Sequence, residues 1–251
     1  MTLSLQQWHQ RYQQQARWTQ DLRQYIYDRV DIRSAHRILD VGCGTGVILA
    51  ELSAILSNHL NGLDIKHEPL LMVKEMLPGL QGVQGDALYL PYQSASLDIC
   101  LCHFVLLWVS DPQRALMEMV RVTRDRGWVC ILAEPDYGGR IDYPPELAQI
   151  GTWQTESLRE QGANPLIGRA LRALFINASL RNIEVGVLGG QWREGAGGED
   201  FEGEWQMLQS DLQGKREFMD SEEEIKAIEL NARAQHHRVL YVPTFYAIGQ
   251  V

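Results

Sequence analysis

The most constraining feature of this chain is a short apolar run that ends in clustered glycines and resumes as a helix. Arg37-Ile-Leu-Asp-Val41 has the length of a buried strand. Gly42-Cys-Gly-Thr-Gly46 follows, and Val47 to Leu56 continues with no breaker. Glycine admits positive φ and lets a backbone approach a ligand closely, so strand, glycine turn and helix predict the opening unit of a parallel α/β sheet. In such sheets ligands bind beyond the carboxyl ends of the strands, where the strand order reverses. A dinucleotide turn reads G-x-G-x-x-G, whereas here the glycines stand at 42, 44 and 46, and no G-x-x-x-x-G-K-[ST] run occurs. A ligand without phosphates at the turn is the expectation.

The same alternation continues downstream. The pattern predicts strands at His59–Ile65, Gln81–Asp86, Leu97–Phe104 and Gly127–Ala133. A helix over Glu68–Leu77 is stopped by Pro78, and another opens at Asp111-Pro112, with Asp as N-cap and Pro at the first turn, and runs to about Arg124. After Pro144-Pro145 the chain reads as helices over Glu146–Glu160 and Gly168–Leu180, a strand over Arg181–Leu188, a helix over Ser221–His237 and a last strand over Val239–Ile248. Pro243 marks that last strand as an edge or a bulge. The final two strands are expected to lie antiparallel at one sheet edge. Residues 1–30, free of Gly and Pro, predict one or two amphipathic helices with their aromatic side turned inward.

Charge narrows the function classes. Lys+Arg 23 against Asp+Glu 32 gives −9, which argues against a general nucleic-acid or anionic-membrane binder. Between Gln191 and Glu224 eleven acids meet only Arg193, Lys215 and Arg216, a local −8, so the rest of the chain is nearly neutral. No apolar run approaches the ~18 residues of a membrane span. The amino terminus lacks a signal-peptide apolar region, and four cysteines without a C-x-x-C pair suit a reducing, cytoplasmic location. His236-His237 has no acidic partner at ligand spacing, so no metal site is expected.

Asp40-Val-Gly-Cys-Gly-Thr-Gly46 resembles the first motif of class I S-adenosylmethionine-dependent methyltransferases. The likeness holds in order over residues 35–135. Asp64 ends the second strand, Gly85-Asp86-Ala87 follows the third, and His103 to Pro112 resembles the signature after the fourth. The small-molecule branch that includes the ubiquinone/menaquinone-biosynthesis enzymes is the nearest look. The resemblance implies an α/β, doubly wound, mostly parallel seven-stranded (Rossmann-like) sheet. It forms a single domain over residues 1–251, with a helical N-terminal cover (1–32), a cofactor-binding core (33–137) and a remainder (138–251). That remainder carries a cap inserted before the last strand, with the acidic insert at about 191–224. It also implies S-adenosylmethionine as cofactor, with S-adenosylhomocysteine as product.

On that resemblance Asp64, with Ile65 beside it, takes the ribose, since a carboxylate is acceptor-only and suits a diol. Asp86 and the Ala87 backbone take the adenine. Asp40, Gly42, Cys43, Gly44 and Gly46 form the turn around the methionine moiety, with Cys43 a small loop residue and not a nucleophile. His103 contacts the cofactor through its carbonyl or serves as a structural histidine. Tyr12, Trp18 and Arg23 would close over the cofactor, with Arg23 on the methionine carboxylate. His103, Asp136 and Tyr137 are the candidates for positioning the acceptor, and Arg140 and Tyr143 stand nearby. In the acidic insert Trp192, Phe201, Trp205 and Met207 either roof a pocket for a cationic acceptor or form a surface excursion packed on the core. The expected partner is a small-molecule acceptor and no nucleic acid, for a monomer or homodimer. A silent cofactor-binding module and a nicotinamide oxidoreductase are the competing readings. The missing Tyr-x-x-x-Lys pair disfavours the latter.

Overall fold

The computed structural model describes residues 4–56, 59–187, 189 and 201–251. Ser4 and Gln7 form a reciprocal capping box that starts α1 (Leu5–Trp18), and Thr19 separates it from α2 (Gln20–Arg29). Then β1 (Arg37–Val41), α3 (Val47–Ile55), β2 (His59–Asp64), α4 (His67–Met76), β3 (Gln81–Gln84), β4 (Leu97–His103), α5 (Pro112–Val122) and β5 (Thr123–Pro135) alternate as the glycine and proline punctuation predicts. The carboxyl-terminal half holds β6 (Ile141–Tyr143), α6 (Ala148–Glu160), α7 (Leu171–Asn177), β7 (Arg181–Val187), α8 (Phe201–Asp211), α9 (Arg216–Ala234), β8 (Val239–Tyr241) and β9 (Thr244–Gln250).

Seven strands form one sheet in the order β3-β2-β1-β4-β5-β9-β7. Strand β9 runs antiparallel to both neighbours, β5 and β7, and the other pairs are parallel. The doubly wound α/β sheet is thus as expected, with its order reversing between β1 and β4, next to the glycine turn. Central strands are covered on both faces. Leu39, Val41, Cys100, Cys102, Val129 and Ile131 pack toward one layer, and Ile38, Ile99, Leu101, Cys130 and Leu132 toward the other. That double burial is why these strands read as continuous apolar runs. All four cysteines are buried and unpaired.

The tail differs from expectation at its last strand, and β6 and α8 stand where no element was expected. The predicted strand over Val239–Ile248 breaks at Val242-Pro243, because proline has no N–H for the ladder. Its first part, β8, pairs antiparallel with β6 in a separate two-stranded sheet, and β9 alone enters the main sheet. Between β7 and β8, helices α8 and α9 form a cap with its own apolar cluster. Trp205, Leu212, Phe218 and Ile225 pack there against Leu147 and Ile150. Residues 190–200, with Trp192 and part of the acidic segment, lie outside the described residues. Among the described residues no helix is long and apolar enough to cross a membrane, and no three His, Cys, Asp or Glu side chains gather as a metal site.

Candidate active site

The carboxyl ends of β1, β2 and β4 and the loop after β3 open into one cavity of about 1640 Å³, roofed by α1 and by the α8–α9 cap. The glycine turn forms its floor. Gly42, Gly44 and Gly46 have φ of +70°, +52° and +81°, which side-chain-bearing residues rarely adopt. A Cβ on Gly44 would stand 2.9 Å from the Tyr12 ring, and one on Gly42 2.5 Å from Val105. Gly46 caps α3 and packs on Val73, so it shapes the turn without lining the cavity.

Three carboxylates border this end of the cavity. Asp64 accepts the Gly44 N–H at 2.8 Å on Oδ2 and the Lys66 N–H at 2.9 Å on Oδ1, so its plane is fixed and each oxygen keeps a lone pair. Asp86 holds the Leu88 N–H at 2.9 Å with Oδ1 alone. Asp40 is buried, its Oδ2 has no partner, and burial, with the nearby Asp64 charge, pushes its carboxyl well above the usual range. Cys43, Ile65 and Ala87 also line the cavity. Burial raises the Cys43 thiol above its ordinary range, so it stays protonated in the turn.

From the other side, α1 supplies Trp8, Arg11, Tyr12 and Gln15, with the half-exposed Trp18 at the mouth. His9 Nδ1 lies 2.8 Å from Thr45 Oγ1, tying α1 to the glycine turn. His103 Nε2 lies 2.8 Å from Thr19 Oγ1, and burial, with the Arg23 charge, pushes its imidazole down to about 3. Tyr137 and Arg140 line the cavity wall. Burial, then the charge of Asp211, pushes the Tyr137 phenol up to about 12, so it stays protonated.

Arg23 and Asp136 depart from the sequence expectation. Arg23 does not reach the cavity. It is 1% exposed, donates from Nε to Glu51 Oε1 at 2.9 Å and from Nη2 to Glu51 Oε2, and gives Nη1 to Ala16 O and Thr19 Oγ1 at 2.6 Å each. It clamps the α1–α2 junction onto α3, four of its five N–H groups are spent there, and it does not line the cavity. Asp136 turns away as well. Its carboxylate is held by Arg169 at 2.5 and 2.6 Å and by the Gly138 N–H at 3.0 Å, so it cannot position an acceptor. Tyr143, on β6, is half-exposed and outside the cavity.

Other residues matter that sequence reasoning passed over. Glu134 is fully buried and accepts the N–H groups of Val105, Leu106 and Leu107 at 2.8, 2.6 and 3.2 Å. It fixes the loop that turns Phe104, Val105, Leu107 and Trp108 into the cavity. Burial pushes its carboxyl up to about 8 against the pull of those three amides. Arg11, Gln154 and Asp211 form a second polar group, with Arg11 Nη2 to Asp211 Oδ1 at 2.5 Å and Gln154 Nε2 to Asp211 Oδ2 at 2.7 Å. Nothing local marks them, since Arg11 and Asp211 lie 200 residues apart.

Residues 39–131 match the family model described as a methyltransferase domain. These residues carry a methyltransferase domain. A demethylmenaquinone methyltransferase of Roseiflexus castenholzii is 35% identical over 147 residues, 56% of this chain and 56% of that one. An uncharacterised methyltransferase of Schizosaccharomyces pombe is 31% identical over 160 residues, 59% of this chain and 57% of its own. The chain spans about half the length of the curated relatives it matches. Among solved structures, an S-adenosylmethionine-dependent methyltransferase from Thermotoga maritima superposes with a TM-score of 0.56 over 96% of this chain and 94% of its own, at 16% identity, a likeness of fold.

The residues fit the domain's cofactor, S-adenosylmethionine. The orphaned Asp40 Oδ2 suits the α-ammonium, which would satisfy it and restore its charge. The free lone pairs of Asp64 suit the ribose diol. Asp86 Oδ2 and the Ala87 N–H, which has no acceptor among the described residues, suit the donor and acceptor of an adenine edge. When bound, the cofactor supplies a methyl group already activated on a sulfonium.

Proposed function

We propose that this chain transfers the methyl of S-adenosylmethionine to an oxygen, nitrogen or carbon of a small-molecule acceptor by in-line displacement. The supporting observation is the continuity of the cofactor end with a second, aromatic chamber. The cavity of about 1640 Å³ exceeds the roughly 300–1,000 Å³ of a site for one drug-sized ligand. Tyr12 and α1 shield the glycine turn, and Trp205 and Phe201 of the cap close the far side. Enclosure of this kind excludes water and holds an acceptor near attack distance, about 3–3.5 Å.

The lining offers little acid–base apparatus at the cofactor end. His103, pushed down to about 3, holds no proton at neutral pH and is a weak base. The protonated Tyr137 can donate a hydrogen bond and cannot abstract a proton. An acceptor that brings its own ionised or lone-pair nucleophile suits this arrangement. Calorimetric titration with S-adenosylmethionine, S-adenosylhomocysteine and NAD(H) tests the cofactor, and a labelled-methyl acceptor screen tests turnover. Binding of both adenosyl ligands and none of NAD(H), followed by label transfer, is expected. NAD(H) binding alone, or cofactor binding with no transfer to any small molecule, would replace this reading by an oxidoreductase or a silent binding module.

A further inference from the structure

We infer that the chamber under the cap selects an acceptor with an anionic head, a carboxylate on a flat apolar body, and that Arg11 and Tyr137 read that head. This rests on the methyltransferase reading above and adds the class of acceptor.

The acids around the chamber are already committed. Asp211 is buried and bound through both oxygens, to Arg11 and to Gln154. Glu204 takes Arg233 Nη2 at 2.6 Å, and Glu229 accepts Arg233 Nε and Arg238 Nε at 2.7 Å each. Glu204, Asp211 and Glu229 are each already neutralised by an arginine, so an incoming ammonium would meet no uncompensated charge there. The acidic composition of the insert, which pointed to a cationic acceptor, is therefore misleading about the chamber itself.

The donors divide into committed and uncommitted groups. Arg238 is bound to Glu229, Asp142 and backbone carbonyls, and Arg140 to Asp142 and Gln154. Arg11 spends only Nη2, on Asp211, and its Nε and Nη1 have no acceptor among the described residues. Its guanidinium is further held 5.3 Å from the Trp8 ring centroid. The Tyr137 hydroxyl likewise has no hydrogen-bond partner among the described residues. Hydrogen bonds run from Arg11 through Asp211 and Gln154 to Arg140, whose backbone N–H donates to the Tyr137 carbonyl at 3.2 Å, and all of these residues line the same cavity. Partly buried donors with no protein acceptor are free to take a ligand without breaking an existing bond. Two or more donors, one cationic and in a planar fork, match a carboxylate. Trp8, Trp108, Phe201 and Trp205 line the adjoining surface and suit an aromatic body.

The test is a three-probe titration with 2-naphthoate, 2-naphthamide and 2-naphthylmethylamine, followed by calorimetry with S-adenosylhomocysteine present. Naphthoate should bind about tenfold tighter than the isosteric amide, and the amine weakest. Arg11→Gln and Tyr137→Phe should each weaken naphthoate by about tenfold while leaving the amide and S-adenosylhomocysteine unchanged. Tyr137→Phe guards against a folding artefact, because the hydroxyl it removes has no partner to lose. Preference for the amine, no binding of naphthoate, or a carboxylate preference that survives both substitutions would overturn the inference. Failure of S-adenosylhomocysteine to bind, with the naphthoate preference intact, would instead remove the methyltransferase reading and with it the acceptor role, leaving only a carboxylate-binding chamber.

Discussion

Replacing Asp64 by alanine separates the two tasks of one carboxylate. In the free protein Asp64 ties the glycine turn to the end of β2 through the Gly44 and Lys66 N–H groups at 2.8 and 2.9 Å. Losing two such bonds at a partly exposed site costs about 2 kcal/mol, at about 1 kcal/mol each. For a domain of this size that lowers the melting temperature by roughly 4–8 °C. If Asp64 takes the ribose, as its free lone pairs suit, its remaining lone pairs would accept two hydroxyls in the complex. Hydrogen bonds to a charged group contribute about 1.5 kcal/mol each, so their loss should cost about 3 kcal/mol, or roughly 150-fold in cofactor affinity. Asp64→Asn should fall between, since one of its terminal atoms becomes a donor facing a backbone N–H. The assay pairs thermal melts of the free variants with calorimetric titration of S-adenosylhomocysteine. Unchanged affinity in Asp64→Ala would refute the ribose assignment. An affinity loss that tracks the melting shift and vanishes at low temperature would reduce Asp64 to a structural brace.

Two further outcomes follow from the buried groups. Arg23→Ala should destabilise the free protein by about 3 kcal/mol, because Glu51 is left without its partner. Cofactor affinity of the folded fraction should stay near wild type, as thermal melts and titration would show. A variant that melts normally but binds poorly would return Arg23 to the cavity. His103 has a folded-state pKa near 3 against an ordinary 6.5, so the unfolded chain binds the extra proton between those values. Stability should be full above pH 6.5 and fall as pH drops toward 3, and His103→Asn should flatten that part of the denaturation profile. An identical profile in the variant would show that His103 carries no such linkage.

Much of the cofactor end is legible in the sequence because its parts are local. Asp40, the three glycines and the start of α3 sit within one strand–turn–helix, and Asp64 and Asp86 each follow a strand closely. Backbone rules place such residues at the carboxyl edge of a parallel sheet whatever the rest of the chain does. Arg23 and Asp136 were harder, since their partners are chosen across the fold. Glu51 lies 28 residues from Arg23, and Arg169 lies 33 from Asp136. A charged side chain beside a site pattern looks the same in sequence whether it faces a ligand or a buried counter-ion. Glu134 was hidden for a related reason. Its three partners are backbone amides of another loop, and amides carry no residue signature.

The sequence by itself therefore determined the sheet, the glycine turn and the row of acids beside it, through periodicity and the φ that only glycine takes easily. Tertiary structure alone decided the chamber that would hold the acceptor. It brings Arg11 of α1 to Asp211 of the cap across 200 residues and pairs the acids of α8 and α9 that face the chamber with arginines. Composition records that the segment is acidic. Which of its charges remain unspent depends on distances and burial, and those exist only once the helices have packed.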